Sequence, residues 1–591
     1  MSETWAGIGQ LGVLLVLLAA VYIPFGDHMA GVYRSSRHLA VERAVYRIAR
    51  IDRDSAQTWR SYAVAVVAFS TVSVLVLYTW QRLQGLLPWS DGKPGVSPTT
   101  AFNTAVSFVT NTNWQSYSPE TVMSNLTQML GLTVQNFLSA AVGLAVAIAL
   151  IRGLTARNGS GTIGNFWVDL VRGTVRILLP VALLVAVVLL SQGAVQSWHT
   201  GVGYRLLDGR DVTSPLGPFA SQEAVKMLGT NGGGTFAANS AHPFSNPTPL
   251  SNLVEIFAML VIPVCLTRTY GTLVGDRRQG LTLLSVMATI WATMLTLAWF
   301  FQTRPDGLAA AAAGAGLEGT EVRFGIPGTA LFAASTTGTS TGAVNAAHDS
   351  LSAGAGGVVL WNILLGEVAP GGVGSGLYGM LVLAVLTVFL GGLLVGRAPE
   401  LLGKKVGRRE ITTAMLSVLV MPTLVLTGTS IALVLPSTTA SMVDPGPAGT
   451  PESIHGFTEV LYAYASAANN NGSAFGGLAV TGDWFQISLG LAMFLGRLLP
   501  IILVLALAGL FARQTPRVDD DAEVSPDTGG EDLDGPVAGT GTLTAPAAVD
   551  TGTLPSHGPL FATLLLGTTL LVSGLTFFPA LVLGPITEAL L

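Results

Sequence analysis

The stretch Ser335-Thr336-Thr337-Gly338-Thr339-Ser340-Thr341-Gly342-Ala343-Val344-Asn345 carries no charge and is dense in hydroxyls, glycine and amide. Three others share its character: Thr110-Asn111-Thr112-Asn113-Trp114-Gln115-Ser116-Tyr117, Gly229-Thr230-Asn231-Gly232-Gly233-Gly234 and Ser466-Ala467-Ala468-Asn469-Asn470-Asn471-Gly472-Ser473. With Thr112, Asn231, Thr341 and Asn471 as centres, the spacings are 119, 110 and 130 residues. A period of that length, with two apolar spans in each unit, reads as a fourfold internal repeat. Taken singly, such a cluster is an ordinary surface turn. Four of them, each between a half-length segment and a span, are not.

The rest of the chain supplies a membrane setting. Of 591 residues, 50% are hydrophobic and 11% charged, against roughly a quarter charged in soluble domains. Mean hydropathy is +0.58. This composition excludes a soluble enzyme, a nucleic-acid binder and a disordered chain. Cys265 is the lone cysteine, so no disulfide framework or multi-cysteine metal site can form. Ten stretches approach the ~20 apolar residues that a span requires: Ile8–Phe25, Ser61–Tyr78, Gln128–Ile151, Val175–Leu190, Leu250–Leu266, Leu281–Phe301, Leu377–Val395, Ile411–Leu435, Phe485–Phe511 and Leu560–Leu583. Val175–Leu190 is short and contains Pro180, which a membrane helix tolerates. Connections after odd-numbered spans hold 21 Lys and Arg; the longer opposite connections hold 7. The bias places both termini outside, with the basic loops in the cytoplasm. Glu3 precedes the first apolar run and the arginines follow it, the reverse of a signal peptide.

All four polar clusters fall on the outer side. Before them lie Thr99–Val109, Gln222–Leu228, Thr329–Ala334 and Gly456–Ala465, each shorter than a span. Such segments dip partway into the membrane and return, which is tolerated only where protein or a watery cavity shields the backbone. Four half-helices around one axis would aim their partially negative carbonyl ends at the centre. Glycine permits the backbone to turn carbonyls inward, and Thr, Ser and Asn add neutral oxygens. A ring of neutral oxygens can replace the water shell of K⁺. Ca²⁺ or Mg²⁺ would call for carboxylates and an anion pore for a Lys or Arg ring; the clusters contain neither. The residues therefore point to a monovalent-cation filter in an all-α polytopic membrane protein: ten transmembrane helices in a fourfold pseudo-repeat of helix–pore loop–helix.

Thr110–Tyr117, Gly229–Gly234 with Ala238–Phe244, Gly342–Ser350, Gly366–Gly379 and Tyr462–Gly477 resemble the KdpA family. This is the potassium-binding, channel-like subunit of the bacterial Kdp potassium-transporting P-type ATPase. The resemblance runs from the first span to the tenth. It implies a ten-span fold related to the fourfold-pseudosymmetric potassium transporters. Its filter carbonyls would come from Asn111 and Thr112, Thr230 and Asn231, Ser340 and Thr341, and Asn470 and Asn471. Gly232, Gly342 and Gly472 would lend backbone freedom, with Asn113 at the matching place in the first loop and Gln115 supporting that loop. It further implies K⁺ as the transported ion and no nucleotide bound by this chain. KdpB, the P-type ATPase subunit, would be its partner, with KdpC and KdpF, in the bacterial plasma membrane among its lipids; no nucleic acid is expected. Two features stand apart from the family pattern: Thr341, at a position where members vary, and the acidic run described below.

Arg497 lies inside the ninth span, where a charge costs roughly 2.5–3.5 kcal/mol on insertion scales. It either faces the pore interior, repelling a second cation, or snorkels to a helix end; the resemblance favours the interior. Glu367 and the segment Gly371–Gly379, with Gly371, Gly372, Gly374 and Gly376, cannot continue a helix without cost. They resemble the family's broken seventh span, whose intramembrane loop closes the route to the cytoplasm and turns K⁺ sideways. The alternative is a glycine-rich turn at the span's outer end.

These readings divide the chain into a first span with a basic loop (1–60), four repeats (61–172, 173–279, 280–410, 411–512), an acidic linker (513–557) and a last span (558–591). No machinery for phosphate is legible: Gly403-Lys404-Lys405 lacks the upstream glycine and hydroxyl of a P-loop, and Leu426-Thr427-Gly428-Thr429-Ser430 lacks an aspartate to phosphorylate. The chain is thus expected to be no enzyme on its own. Either it selects K⁺ for a pump, or it is a self-sufficient channel or gradient-driven transporter; the family motifs favour the first. Asp519, Asp520, Asp521, Glu523, Asp527, Glu531, Asp532 and Asp534 stand in a Gly/Pro-rich context that reads as linker. Deleting Asp519–Asp534 is expected to leave K⁺ uptake by cells unchanged, and a large loss at normal expression would contradict that.

Overall fold

Four half-helices, each running into one of the polar clusters, organise the structure. The computed structural model describes residues 3–304, 316–442, 451–515 and 555–590; the acidic run 519–534 lies outside the described residues. Ten helices among those described are long and apolar enough to cross a membrane. The elements used below are α1 (Glu3–Arg34), α2 (Trp59–Leu83), the pore helix α3 (Pro98–Val109), α4 (Val134–Thr155) and α5 (Leu179–Ser191). They continue with the pore helix α6 (Phe219–Leu228), α7 (Pro249–Val274), α8 (Arg277–Gln302) and the pore helix α9 (Gly325–Gly338). Last come α10 (Ala353–Leu364), α11 (Ser375–Val395), α12 (Arg408–Val434), the pore helix α13 (Pro451–Asn469), α14 (Asp483–Ala512) and α15 (Pro559–Leu581).

Burial sorts the spans into two shells. The spans that follow the pore helices, Thr127–Thr155, Pro249–Val274, Ser375–Val395 and Asp483–Ala512, bury 83%, 78%, 67% and 56% of their apolar windows. Their preceding partners, Trp59–Leu86, Phe166–Ser191, Arg277–Gln302 and Arg408–Val434, bury 28%, 39%, 50% and 22%. The chain composition explains the difference. On α4, Ala140, Ala141, Gly143, Ala145, Ala147 and Ala149 are all buried, and small side chains let membrane helices approach closely. A Cβ on Gly143 would lie 2.2 Å from the carbonyl oxygen of Val373. Outer helices such as α12 and α15 instead present Leu416, Leu419, Leu571 and Leu575 outward.

Local chemistry sets the helix limits. Thr248 accepts the Ser251 N–H at 3.1 Å to start α7 beside Pro249, and Gly275, at φ +84°, stops it. Three expectations need correction. The fourth span is not the short Val175–Leu190 but a continuous run, Phe166–Ser191, with a wide turn at Gly173–Leu178 just before Pro180. Such π-turns relieve the hydrogen bond that proline cannot make; His28 Nε2 lies 3.4 Å from the freed Arg176 carbonyl. The dips before the third and fourth clusters are longer than Thr329–Ala334 and Gly456–Ala465, reaching 14 and 19 residues as α9 and α13. Finally, the helix resumes at Ser375, so Gly376 belongs to α11 rather than to the loop before it. The seventh span is a half-length α10, a loop from Leu365 to Gly374, and α11.

Ion pairs pin the two faces. Arg152 binds Asp169 through both guanidinium nitrogens at 2.6 and 2.9 Å, and Arg268 binds Asp27 at 2.9 and 2.7 Å. Lys404 donates to the Gly153 and Phe511 carbonyls at 3.0 and 2.6 Å, a cation at two helix C-termini. Both chain ends reach the face where the pore helices begin. Glu3 Oε1 accepts the Ile326 N–H at 2.7 Å, at the start of α9. His455, on the first turns of α13, stands between Glu588 Oε1 (2.8 Å from Nδ1) and Asp349 Oδ1 (3.1 Å from Nε2).

The two carboxylates raise the pKa of His455 to about 10. A raised histidine contributes stability fully below its unfolded value of ~6.5 and loses it as pH climbs through the folded value. The thermal midpoint of the detergent-solubilised protein should therefore fall from pH 7 to pH 10 more steeply in the wild type than in His455→Gln. Parallel slopes for the two would contradict this assignment.

Candidate cation filter and the cavity beneath it

The four pore helices end at Val109, Leu228, Gly338 and Asn469, one or two residues before the expected filter positions. Their C-terminal ends carry the negative ends of four helix dipoles toward the four clusters. Beyond each helix the backbone repeats one pattern. Asn111, Thr230, Ser340 and Asn470 have φ of +69°, +48°, +53° and +62°; two residues on, Asn113, Gly232, Gly342 and Gly472 have φ of +57°, +96°, +71° and +99°. The residues between, Thr112, Asn231, Thr341 and Asn471, are fully buried and keep negative φ. Positive φ is costly for a β-branched residue such as Thr230 and is held only where the surroundings over-determine it. Alternating hand orients successive peptide groups alike, which is what a line of carbonyl ligands needs.

The loops close into a ring. A Cβ on Gly232 would lie 1.8 Å from the Thr341 carbonyl oxygen, one on Gly342 1.9 Å from that of Asn471, and one on Gly472 2.0 Å from that of Thr112. Each loop thus rests its glycine against the central carbonyl of the next, in the order second, third, fourth, first. Asn111 completes the circuit by donating to the Thr230 carbonyl at 2.7 Å. Asn113, where the other loops have glycine, is buried against Gly233.

Asparagine side chains latch these contacts. Asn231 Nδ2 donates to Asn111 Oδ1 at 2.6 Å, and Ser139 of α4 donates to the same oxygen at 2.7 Å. Asn470 Nδ2 donates to Thr112 Oγ1 and to the Met493 carbonyl, both at 2.9 Å, and Asn471 Nδ2 donates to the Thr336 carbonyl at 3.2 Å. Thr112 and Thr341 hydroxyls pair with those of Thr110 and Thr339 at 2.8 and 2.6 Å. Several side-chain oxygens expected to add to the ring are thus engaged in holding it, while Asn113 Oδ1 and Asn231 Oδ1 are buried without a hydrogen-bond partner among the described residues. Gln115 exchanges two hydrogen bonds with Gly234, 3.0 Å to its carbonyl and 2.9 Å from its N–H, tying the first loop to the second.

Below the ring lies a cavity of about 150 Å³ bordered by Ser340, Asn470, Glu367, Tyr378 and Arg497. It extends between α12 and α15, past Met421 and Phe577. Arg497 is 6% exposed, with one guanidinium nitrogen 3.4 Å from the Ser139 carbonyl; it does not snorkel. Glu367, 2% exposed, accepts the Ser340 hydroxyl through Oε2. A carboxylate therefore stands directly behind the third loop, although no cluster contains one. The loop from Leu365 to Gly374 passes under the ring: Gly371 N–H donates to the Gly338 carbonyl at 2.8 Å, and Val373 N–H to Thr230 Oγ1 at 3.0 Å. A Cβ on Gly372 would lie 3.1 Å from the Thr339 carbonyl, and one on Gly374 2.1 Å from that of Gly143.

Sequence reading passed over Ser139, Asn239 and the pair Glu223 and Lys226. The last two offered a signal, since ionisable residues inside a short apolar dip are rarely incidental. Ring closure itself generates a prediction. Gly232→Asp, Gly342→Ala and Gly472→Ala should each raise the K⁺ half-saturation at least about tenfold and bring the Rb⁺/K⁺ preference toward unity, as a displaced carbonyl costs ~1.4 kcal/mol or more. Gly476→Ala, where a Cβ would meet open space, should change neither; unaltered ion preference in all three ring variants would contradict the ring.

The family model described as potassium-transporting ATPase A subunit, KdpA, matches residues 12–529 and 537–590. Curated relatives named potassium-transporting ATPase potassium-binding subunit include those of Nocardia farcinica, 62% identical over 590 residues, and Rhodococcus erythropolis, 61% identical over 590. Each alignment covers all of both chains. That of Mycobacterium avium is 51% identical over 593 residues, again covering both chains fully. Among solved structures, the potassium transporter TrkH from Vibrio parahaemolyticus shares the fold, with a TM-score of 0.50 at 14% identity over 85% of this chain and 98% of that one. The chain therefore belongs to the KdpA family of potassium-transporting ATPase A subunits.

Proposed function

We propose that this chain is the K⁺-binding and K⁺-selecting subunit of an ATP-driven potassium importer in the bacterial plasma membrane. The observation that carries the reading is the closed ring of four loops, in which three glycines pack on the next loop's central carbonyl and Asn111 closes the fourth contact. K⁺ would shed water onto the carbonyls of Asn111 and Thr112, Thr230 and Asn231, Ser340 and Thr341, and Asn470 and Asn471. Replacing a hydration shell by preset oxygens avoids reorganisation as the ion arrives. The curated relatives are named as the potassium-binding subunit of an ATPase, which supports a non-catalytic role here.

Arg497 and the loop Leu365–Gly374 control what happens below the ring. The buried guanidinium borders the cavity and repels a second cation, since charges in a poorly hydrated site interact far more strongly than in water. The loop, braced on Gly143 and Thr230, blocks the direct route downward. A K⁺ leaving the ring would pass sideways between α12 and α15 toward a P-type ATPase subunit, KdpB, in a complex with KdpC and KdpF. Both termini and the pore-helix starts would lie outside and the paired arginines in the cytoplasm, as the positive-inside rule requires. Repeats at 61–172, 173–279, 280–410 and 411–512 fit this arrangement.

The test is co-purification with the ATPase subunits in mild detergent, then reconstitution into liposomes. ATP hydrolysis should depend on K⁺, and the chain alone should pass no K⁺. Rapid flux through the chain alone would favour a self-sufficient channel instead. Arg497→Ala in the complex should let K⁺ leak without ATP; tight vesicles would contradict its assigned role.

A further inference from the structure

Lys226, on α6 immediately behind the second loop, is completely buried. Its ammonium lies 2.8 and 3.0 Å from the two carboxylate oxygens of Glu223, one turn earlier. It also donates to Asn239 Oδ1 at 2.8 Å and Ser240 Oγ at 2.9 Å, so all of its protons have acceptors. The same Asn239 uses its Nδ2 to donate to the Gly232 carbonyl at 2.8 Å, and its Oδ1 accepts the Val344 N–H of the third loop at 3.3 Å. A continuous line of polar contacts therefore runs from a buried ion pair, through one amide, to a ring residue of the second loop and to the backbone of the third. Glu255 of α7, also completely buried, brings a second carboxyl to this pocket.

The arrangement is peculiar to one quarter of the ring. Among the described residues, no side chain donates to the carbonyls of Asn113, Gly342 or Gly472, the counterparts of Gly232. A buried lysine is expensive unless paired and fully hydrogen-bonded. An apolar helix behind the loop would have served for packing alone. What Lys226 adds is a charged donor. With the backbone N–H groups of Ser240 (2.9 Å) and Val344 (3.3 Å) it holds Asn239 Oδ1, and so keeps the amide nitrogen on Gly232.

We propose that Lys226, through Asn239, is a positioning residue that holds the Gly232 carbonyl and joins the second loop to the third, and thereby sets the alkali-ion preference of the ring. The inference rests on the filter reading above. Releasing the Gly232 carbonyl should be visible as about a tenfold or larger change in ion affinity.

The experiment uses the assembled complex and reads ATP hydrolysis against K⁺ and Rb⁺. Asn239→Ala leaves the Lys226–Glu223 pair intact and should raise the K⁺ half-saturation about tenfold or more, narrow the Rb⁺/K⁺ difference, and keep the maximal rate within about twofold. Lys226→Met should do the same. Combining the two should be no worse than the more severe single, because both cut one line. Asn239→Asp, which keeps the acceptor for Lys226 but loses the donor to Gly232, should resemble Asn239→Ala. If Gly232→Asp shifts ion preference while well-folded Asn239→Ala does not, the positioning role is overturned and the filter stands. If Gly232→Asp shifts nothing either, the filter reading itself fails.

Discussion

Each of three loops places a glycine where the next loop's central carbonyl leaves no room for a Cβ, and the fourth contact is closed by an asparagine amide. Everything else in the structure serves that closure. Backbone cannot be left bare at membrane depth unless protein shields it, so the loops need inner helices close behind them. Those inner helices need small residues to come close, and α4 provides them at Ala140, Ala141, Gly143 and Ala145. The outer helices then need only to be long and apolar.

The ring also explains the abundance of asparagine. Loops that converge without charge must be tied by neutral groups. Amide side chains do this here, bridging one loop to the next through both side-chain and backbone acceptors. An amide suits this because it donates and accepts at once without carrying a charge that would compete with the ion. Gln115 does the same for Gly234 in both directions.

Charge appears only at one remove. Glu367 supports Ser340 from below, Arg497 borders the cavity, and Glu223 with Lys226 stands behind the second loop. Each is buried, and each lies against a different part of the ring or its outlet. Four loops of one repeated pattern are thereby made inequivalent.

How much of this was legible beforehand follows from what local pattern encodes. Apolar run length, the sidedness of Lys and Arg, and the 119-, 110- and 130-residue spacings of the polar clusters specify ten spans and four dips, because each depends on residues adjacent in the chain. Burial of Arg497 and the break at Glu367 were also foreseeable, since a charge or a glycine run inside a span is a local anomaly. Packing alone decided the rest: that Asn111 meets Thr230, that Val373 rests on Gly143, that the helix resumes at Ser375, and that Lys226 reaches Gly232 through Asn239. Most of these contacts join residues a hundred or more positions apart. No periodicity carries such distances; they exist only once small residues have let the helices close and the loops have found one another.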